Sequence, residues 1–202
     1  MNKINVLDKG FIELLEVMGS DATIAESARI SYLGKSSGEE SDDRLIQKLI
    51  ANEHKSPFEQ AELRFLVKAP IFVARQWMRH RTWSYSEVSR RYTDKDIDFY
   101  TPEFECSAYR NIYEKAIGEA ISSYNTLGAL GVRKEISRGV LPVCMYTTFY
   151  AKTDLNNLLH FLELRRAPDA QYEIREYANA IEELLKEKFP TTYRVWNYYL
   201  TK

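Results

Sequence analysis

The segment from residue 79 to residue 92 concentrates the side chains of this 202-residue chain that are best suited to bind an anion. It holds four arginines, one histidine and three serines around a single carboxylate, Glu87. Guanidinium groups pair with phosphate through two parallel hydrogen bonds, and flat aromatic rings stack on them. Trp83, Tyr85 and Tyr92 provide such rings within the segment, and Trp77 lies just before it. The composition predicts a pocket for a ligand with phosphate and flat rings; the alternative is a salt-bridged, solvated face, as most charge runs are.

The charge balance of the whole chain argues for a small ligand rather than a polymer. Lys and Arg together number 28 and Asp and Glu number 29, whereas a general nucleic-acid binder carries a basic excess. Cys106 and Cys144 lie far apart, in no metal-ligand or redox spacing, so we expect two structural thiols and no metal site. The chain lacks an apolar run of membrane-spanning length and a signal-peptide pattern. We therefore expect a cytoplasmic protein that binds neither nucleic acid nor membrane.

A strand over residues 63–67 and a helix that begins near Pro70 must position the segment. Apolar and polar residues alternate along this strand, which indicates one buried face. The helix carries Gln76 and Arg79 three residues apart, on one side. Successive helical residues point about 100° apart, so the cationic triplet 79–81 cannot share one face, and we expect the helix to end there. A turn at this point lets the three side chains surround a ligand.

The other elements predict an α+β protein with mixed helices and an antiparallel sheet, because strands and helices neither alternate strictly nor segregate. No repeat, linker or low-complexity tract divides the chain, so residues 1–202 are expected to form a single domain. The patterns predict paired strands over 4–7 and 11–17, a helix capped by Asp21, a helix after Ser41-Asp42-Asp43, a long amphipathic helix over 112–127, a strand over 143–151, a helix capped by Asp154, and helices at about 168–188 and 191–200.

Written as a pattern, residues 79–92 are R-H-R-x-x-S-x-S-E-x-S-x-R-Y. This closely resembles the signature of the flavin-dependent thymidylate synthases, R-H-R-x-x-S-x-N-E-x-S-x-R-Y. The departure is Ser86, where the family most often carries Asn; a serine keeps a donor and an acceptor but reaches less far. Further segments resemble family landmarks in family order, namely 54–59, 69–77, Arg138 before 140–142, and 164–165 followed by 170–174. The resemblance therefore spans nearly the whole chain.

The resemblance implies the family's fold and activity. The activity is the reductive methylation of dUMP to dTMP, with 5,10-methylenetetrahydrofolate as the carbon donor and NADPH as the reductant. FAD relays the electrons and the one-carbon unit, while the protein supplies binding, orientation and charge. The resemblance further implies a homotetramer with shared active sites. The absence of a Gly-x-Gly-x-x-Gly fingerprint agrees with this, since no Rossmann domain is expected.

The resemblance also assigns roles to individual residues. Arg165 is implied to be catalytic, because it would polarise the uracil and favour its N3-ionised form. The residues implied to hold the flavin are Ser56, Glu59, Arg79, His80, Arg81, Glu87, Asp154, Asn156 and His160. The residues implied to hold dUMP or another substrate are His54, Gln76, Arg79, Glu87, Val88, Ser89, Arg90, Arg91, Arg138 and Arg165.

Ser89 and the two cysteines raise the question of an enzyme nucleophile. A serine nucleophile needs a base within hydrogen-bond reach, and the sequence places none beside Ser89, so a phosphate contact is preferred. Cys106 and Cys144 lie outside every motif of the resemblance. We therefore expect a flavin mechanism without covalent attack by the protein on uracil.

Asp154 and His160 stand where some relatives carry Asn. Taken alone, they predict a helix N-cap and an exposed helical position. With Ser86, they leave open a family member that binds flavin but has lost turnover. A second alternative is a non-catalytic nucleotide- or RNA-binding protein that uses the same arginine and aromatic cluster.

Overall fold

A computed structural model describes residues 2–201 of the chain. Its centre is a five-stranded antiparallel sheet in the order β1-β2-β3-β5-β4. The strands are β1 Lys3–Val6, β2 Gly10–Met18, β3 Glu62–Pro70, β4 Ser84–Glu87 and β5 Tyr146–Asp154. The helices are α1 Asp21–Arg29, α2 Glu39–Ala51, α3 Ile71–Trp77, α4 Ser107–Ala129, α5 Lys134–Ser137, α6 Leu155–Arg165, α7 Tyr172–Lys188 and α8 Pro190–Leu200, and short 3-10 turns cover Ile30–Tyr32, Ser56–Gln60 and Arg138–Val140. The predicted α+β class with an antiparallel sheet is confirmed.

The sheet is held by one apolar face, as the alternation in β3 predicts. Leu63, Phe65 and Val67 are at most 1% exposed, and the strand pairs with β5 over its whole length. Burying side chains of this size contributes roughly 1.5–3 kcal/mol each. Helices α6 and α7 supply most of the facing apolar residues, so one core joins sheet and helices.

The predicted hairpin at the start of the chain is present, with β1 antiparallel to β2. Gly10 begins β2 where no larger residue fits, because an added Cβ would lie 2.0 Å from the hydroxyl of Tyr177 and 2.8 Å from the carbonyl of Lys68. That hydroxyl donates to the same carbonyl at 2.6 Å. The close approach docks α7 onto the strands.

The predicted role of Asp21 as the cap of α1 is wrong. Ser20 is the N-cap, and Thr23 accepts the Ser20 amide at 3.1 Å. The Asp21 carboxylate instead accepts the amides of Thr191 and Thr192, at 2.9 and 3.0 Å, and the Thr192 hydroxyl at 2.6 Å. Asp21 thus satisfies donors at the start of α8, 170 residues away, a partnership that local sequence could not reveal.

Three further elements differ from the prediction. The strand expected over 143–151 begins at Tyr146, and Val143 before it is 53% exposed. Strand β4 was not predicted, because a short serine-rich stretch forms a strand here only by pairing with the edge of β5. The long helix is present as α4, but none of its residues is buried. Within residues 2–201, no helix is both long and apolar enough to cross a membrane.

Candidate functional site

The chain leaves the core at the end of α3 and turns sharply before β4. Trp77 closes the helix with its ring fully buried, 4.9 Å between centroids from Phe161. The hydroxyl of Tyr85 donates to the carbonyls of Trp77 and His80, both at 3.1 Å. Burial raises the pKa of Tyr85 well above its ordinary value, so the hydroxyl stays a donor. The turn that carries the cationic triplet is therefore anchored at both ends, and the helix ends close to where the sequence predicts.

This turn and α6 enclose a depression of about 700 Å³, which we call the first depression. Its lining residues are Gln76, Arg79, His80, Arg81, Thr82, Asn157, His160, Leu164 and Arg165. Among the described residues 2–201, neither Arg79 nor Arg81 has an ion pair or a hydrogen bond from its exposed side chain. The lining carries three arginines and no acidic residue. Such a surface suits an anionic ligand.

Arg165 reaches this depression from the last turn of α6. Its Nε donates to Nε2 of His80 at 3.0 Å, and its Nη2 donates to the carbonyl of Gln76 at 3.2 Å. Both acceptors are neutral, so the positive charge is hydrogen-bonded but not neutralised. Burial and the nearby charge of Arg79 lower the pKa of Arg165.

His80 is the buried member of the triplet, with 9% of its surface exposed. Burial, followed by the charge of Arg165 and the neighbouring His160, lowers the pKa of its imidazole from 6.5 to about 4. The ring is therefore neutral near pH 7. With Nε2 accepting from Arg165, the ring proton resides on Nδ1.

A second depression, of about 520 Å³, lies at the other end of the motif. It is lined by Ile71, Glu87, Val88, Ser89, Arg90, Arg138, Gly139, Leu141, Met145 and Thr147. Five of the residues expected to hold dUMP are thus brought together here, namely Glu87, Val88, Ser89, Arg90 and Arg138. The two depressions share no lining residue. A single chain therefore divides the predicted nucleotide contacts between two places.

The arginines of the second depression are not equally available to a ligand. Arg90 is 8% exposed, and its two terminal nitrogens donate to the carbonyls of Lys95 and Asp96. Its buried Nε has no partner within the described part of the chain. Arg138 is exposed, while Arg91 lies outside this lining with its Nε 3.4 Å from Glu135. A fork from Arg90 to phosphate thus requires the loop that it holds to rearrange.

The remaining predicted site residues lie around the first depression or beyond it. His54, Asn156 and His160 line an adjoining cleft between α2, α6 and α8. Asp154 is the N-cap of α6 as predicted, since its carboxylate accepts the amide of Asn157 at 2.9 Å. Ser56 lines a separate depression with Ile30, and Glu59 is exposed on the same 3-10 turn.

The interpretation of the interleaved aromatic residues as ligand-stacking planes is wrong for both tryptophans. Trp77 and Trp83 are 0% and 5% exposed, with ring centroids 5.9 Å apart in an edge-to-face pair. Tyr92, by contrast, is 76% exposed, and the guanidinium of Arg91 lies 5.4 Å from its ring centre. The tryptophans bind the motif to the core, which fixes the backbone that carries the arginines.

Sequence reasoning missed two polar residues at the site. Asn157 lines both the first depression and the adjoining cleft, and its side-chain amide donates to Asp154 at 2.6 Å. The Thr147 hydroxyl donates to the Glu87 carboxylate at 2.6 Å and is 4% exposed. The alternation in β5 places Thr147 on its inner face, and a hydroxyl among apolar neighbours there was the available signal.

The family model, the similar sequences and the similar structure all indicate one protein family. The family model described as "Thymidylate synthase complementing protein" matches residues 13–191. A flavin-dependent thymidylate synthase of Thermus thermophilus is 45% identical over 98% of this chain and 79% of its own length. One of Thermotoga neapolitana is 44% identical over 99% and 96%. A crystal structure of the UMP/dUMP methylase PolB from Streptomyces cacaoi, bound with 5-Br dUMP, superposes with a TM-score of 0.87 at 31% identity, covering 96% of this chain and 97% of that one.

Proposed function

Since this chain belongs to the thymidylate synthase complementing protein family, that of the flavin-dependent thymidylate synthases, we propose that it methylates dUMP to dTMP. The carbon donor is 5,10-methylenetetrahydrofolate, the reductant is NADPH and the cofactor is FAD, as is typical of the family. The enzyme acts as a single domain over residues 1–202. We place it in the cytoplasm, where the free Cys106 and Cys144 stay reduced.

The observation that carries the proposal is the uncompensated positive charge of the first depression. Arg79 and Arg81 have no partner within residues 2–201, and Arg165 meets only neutral acceptors. Holding three such cations together costs free energy unless an anion joins them. A flavin dinucleotide and a nucleotide monophosphate both supply anionic oxygens and flat rings, so the residues present fit the cofactor and the substrate.

The chain's own residues divide the work by their chemistry. Arg79 and Arg81 hold the flavin by charge, and Arg165 directs its guanidinium at the uracil. A cation beside the ring stabilises negative charge that develops on it, which favours ionisation at N3 and activates C5. Bound flavin supplies the redox chemistry of the reaction. No residue of the chain is required as a nucleophile.

The second depression serves the phosphate of dUMP. The exposed Arg138 and the hydroxyl of Ser89 point to charge-assisted contacts, worth roughly 1.5–3 kcal/mol each. Glu87, held by Thr147, is an acceptor on the wall of this depression. Loss of a ground-state contact of this kind weakens binding more than it slows the chemical step.

The proposal includes a homotetramer whose active sites are shared between subunits. The division of the predicted contacts between two depressions of one chain supports sharing, because one copy can complete the site of another. The helix α4 supports association, since it has 23 residues, none of them buried, and exposes Tyr109 and Ile112 by 58% and 69%. An exposed apolar surface of this kind is typical of an interface between subunits.

Release of tritium from C5 of labelled dUMP tests the reaction directly. Purified protein with FAD and methylenetetrahydrofolate should release tritium only when NADPH is present, and Arg165→Ala should release little. Flavin binding without tritium release would favour the family member that has lost turnover. A colourless protein that cannot be reconstituted with FAD, yet binds single-stranded RNA, would favour the non-catalytic alternative.

Mixing two impaired variants, assayed at a dUMP concentration too low to saturate Arg138→Ala, tests the sharing of sites. Arg165→Ala damages the first depression and Arg138→Ala the second, so mixed oligomers should contain some sites with both halves intact. Partial activity should return after subunit exchange. If exchange is demonstrated by mass and no mixing ratio restores activity, the site is complete within one chain.

A further inference from the structure

His80 contacts a second residue of the candidate site, Arg165. Its Nε2 accepts the Nε hydrogen of Arg165 at 3.0 Å, and Nη2 of the same guanidinium donates to the carbonyl of Gln76 at 3.2 Å. Arg165 is therefore held at two of its three nitrogens. Its Nη1 has no hydrogen-bond partner within residues 2–201 and remains available to a ligand.

The imidazole is itself held in place. Its ring packs edge-to-face on Phe161 with centroids 4.9 Å apart, and it is 9% exposed. The amide of His80 donates to the carbonyl of Trp77 at 3.0 Å, and the carbonyl of His80 accepts from Tyr85. Because packing and backbone hydrogen bonds hold the His80 ring in place, its Nε2 can fix the orientation of the Arg165 guanidinium that donates to it.

We propose that His80 is the positioning residue for Arg165, which it aims at the uracil through the lone pair on Nε2. This rests on the proposed function, in which Arg165 acts on the uracil, and gives His80 a role other than contact with flavin. A protonated ring would present a donor to a cation, so the contact requires the neutral Nδ1–H tautomer. Misplacing a group at a reacting centre by about 1 Å can cost about 10²-fold in rate.

Two substitutions separate positioning from flavin contact, because each keeps a polar group at a different ring nitrogen. The amide of Gln reaches the place of Nε2, whereas the amide of Asn occupies the place of Nδ1. We expect single-turnover oxidation of reduced flavin, at saturating dUMP and folate, to be at least about tenfold faster in His80→Gln than in His80→Asn. Flavin content and the dissociation constant of dUMP should be similar in the two variants. In an Arg165→Ala background the difference between them should vanish.

The tautomer can be measured without turnover. Residues 54, 80 and 160 are the three histidines of the chain, so long-range ¹H–¹⁵N spectra of the imidazoles are simple to assign. Near pH 7, His80 should carry its proton on Nδ1. In Arg165→Leu, where no donor faces Nε2, the Nε2–H tautomer should become populated. Neither spectrum needs a substitution at His80, so the tautomer can be tested even if the His80 variants fail to fold.

The outcomes are separable. Wild-type protein without dUMP-dependent flavin oxidation would refute the proposed function. Normal wild-type turnover with His80→Asn equal to or faster than His80→Gln would refute only the positioning role. A wild-type His80 that is protonated, or that carries its proton on Nε2, would refute it as well.

Discussion

In the corner where α1, α2 and α8 meet, charges are paired within the chain, whereas the three arginines of the first depression meet only neutral acceptors, or no partner at all within residues 2–201. Arg29, 4% exposed, lies 2.6 Å from the Asp42 carboxylate and donates to the Ser41 hydroxyl at 3.0 Å. Asp43 similarly accepts from Thr191 and pairs with Arg194 at 2.7 Å. The same residue types therefore serve opposite purposes in the two regions.

The difference shows how this chain distributes structural and functional charge. A charge buried with its partner contributes to stability only as a pair, and breaking the pair is costly. A cation left without a partner contributes little or nothing to folding and is available to a ligand. Substitutions in the corner should therefore lower stability, whereas substitutions of Arg79 or Arg81 in the depression should lower activity with little change in stability.

The largest effect is expected from Arg29→Ala, which leaves Asp42 without its buried partner. We expect the free energy of unfolding to fall by about 3–5 kcal/mol, measured by urea denaturation. Arg44→Ala is the matched control, because Arg44 forms a surface pair with Glu40 at 3.9 Å and should cost less than about 0.5 kcal/mol. An equal loss of unfolding free energy in the two variants would show that the buried Arg29 pair does not stabilise the corner.

Arg165→Ala should lower turnover by about 10²–10³-fold, because it removes a donor that acts on developing charge. Single-turnover oxidation of reduced flavin by dUMP and folate measures this at saturating nucleotide. The adjacent Arg166 pairs with the buried Glu182 at 2.8 Å, so its charge is paired within the chain like those of the corner. Arg166→Ala should therefore lose stability and keep the oxidation rate. If Arg166→Ala slowed the oxidation while Arg165→Ala only lost stability, the roles of the two neighbours would be the reverse of those assigned.

Local periodicity explains which parts of this fold were predictable. The alternation Leu63, Phe65, Val67 depends on side chains two residues apart, so β3 and its buried face were predicted correctly. Strand β4 depends on an edge supplied by β5, some 60 residues later, and the sequence of β4 alone has no strand pattern. Asp21 shows the same limit, because its partners lie on α8.

The candidate site was predicted by its motif rather than by its geometry. Residue types in the segment 79–92 indicated an anion pocket, but not which arginine would be free. Arg90 and Arg81 are the same residue type in the same segment. Arg90 nevertheless donates to two backbone carbonyls, whereas the side chain of Arg81 is exposed. The contact between His80 and Arg165 joins residues 85 positions apart, and only the fold brings them together.

Asp21→Ala should lower the free energy of unfolding by about 2 kcal/mol, at the upper end for the loss of a helix cap. Both carboxylate oxygens are used, one by Thr191 and the other by Thr192. Asp21→Asn keeps one acceptor oxygen and should therefore lose less. Thermal and urea denaturation of the two variants measure which loses more stability. An equal loss in both would show that the hydrogen bonds from Thr191 and Thr192 to Asp21 do not stabilise this corner.

His80 should make stability depend on pH. Its folded pKa of about 4 lies below its ordinary value of 6.5, so between these pH values the unfolded chain holds the extra proton. The stability of wild-type protein without flavin should thus fall as the pH is lowered from 6.5 towards 4. In His80→Gln this part of the slope is absent, so the stability gap between the two proteins should narrow on acidification. His160→Gln, which keeps His80, should retain the slope; an unchanged gap between wild type and His80→Gln would contradict a depressed pKa.

The smallest change in stability is expected from Arg81→Ala, together with a large loss of bound flavin. Arg81 is exposed and has no ion pair or hydrogen bond within residues 2–201, so its loss should change the free energy of unfolding by no more than about 0.5 kcal/mol. Retained FAD, measured by absorbance of the purified protein, should nevertheless fall sharply, because a charged group is removed from the flavin pocket. Arg44→Ala again serves as the control, since it removes an exposed arginine that lines neither depression and should keep its flavin. If Arg81→Ala retained FAD and lost stability instead, the charge of the first depression would be structural, and the distinction between the two regions would not hold.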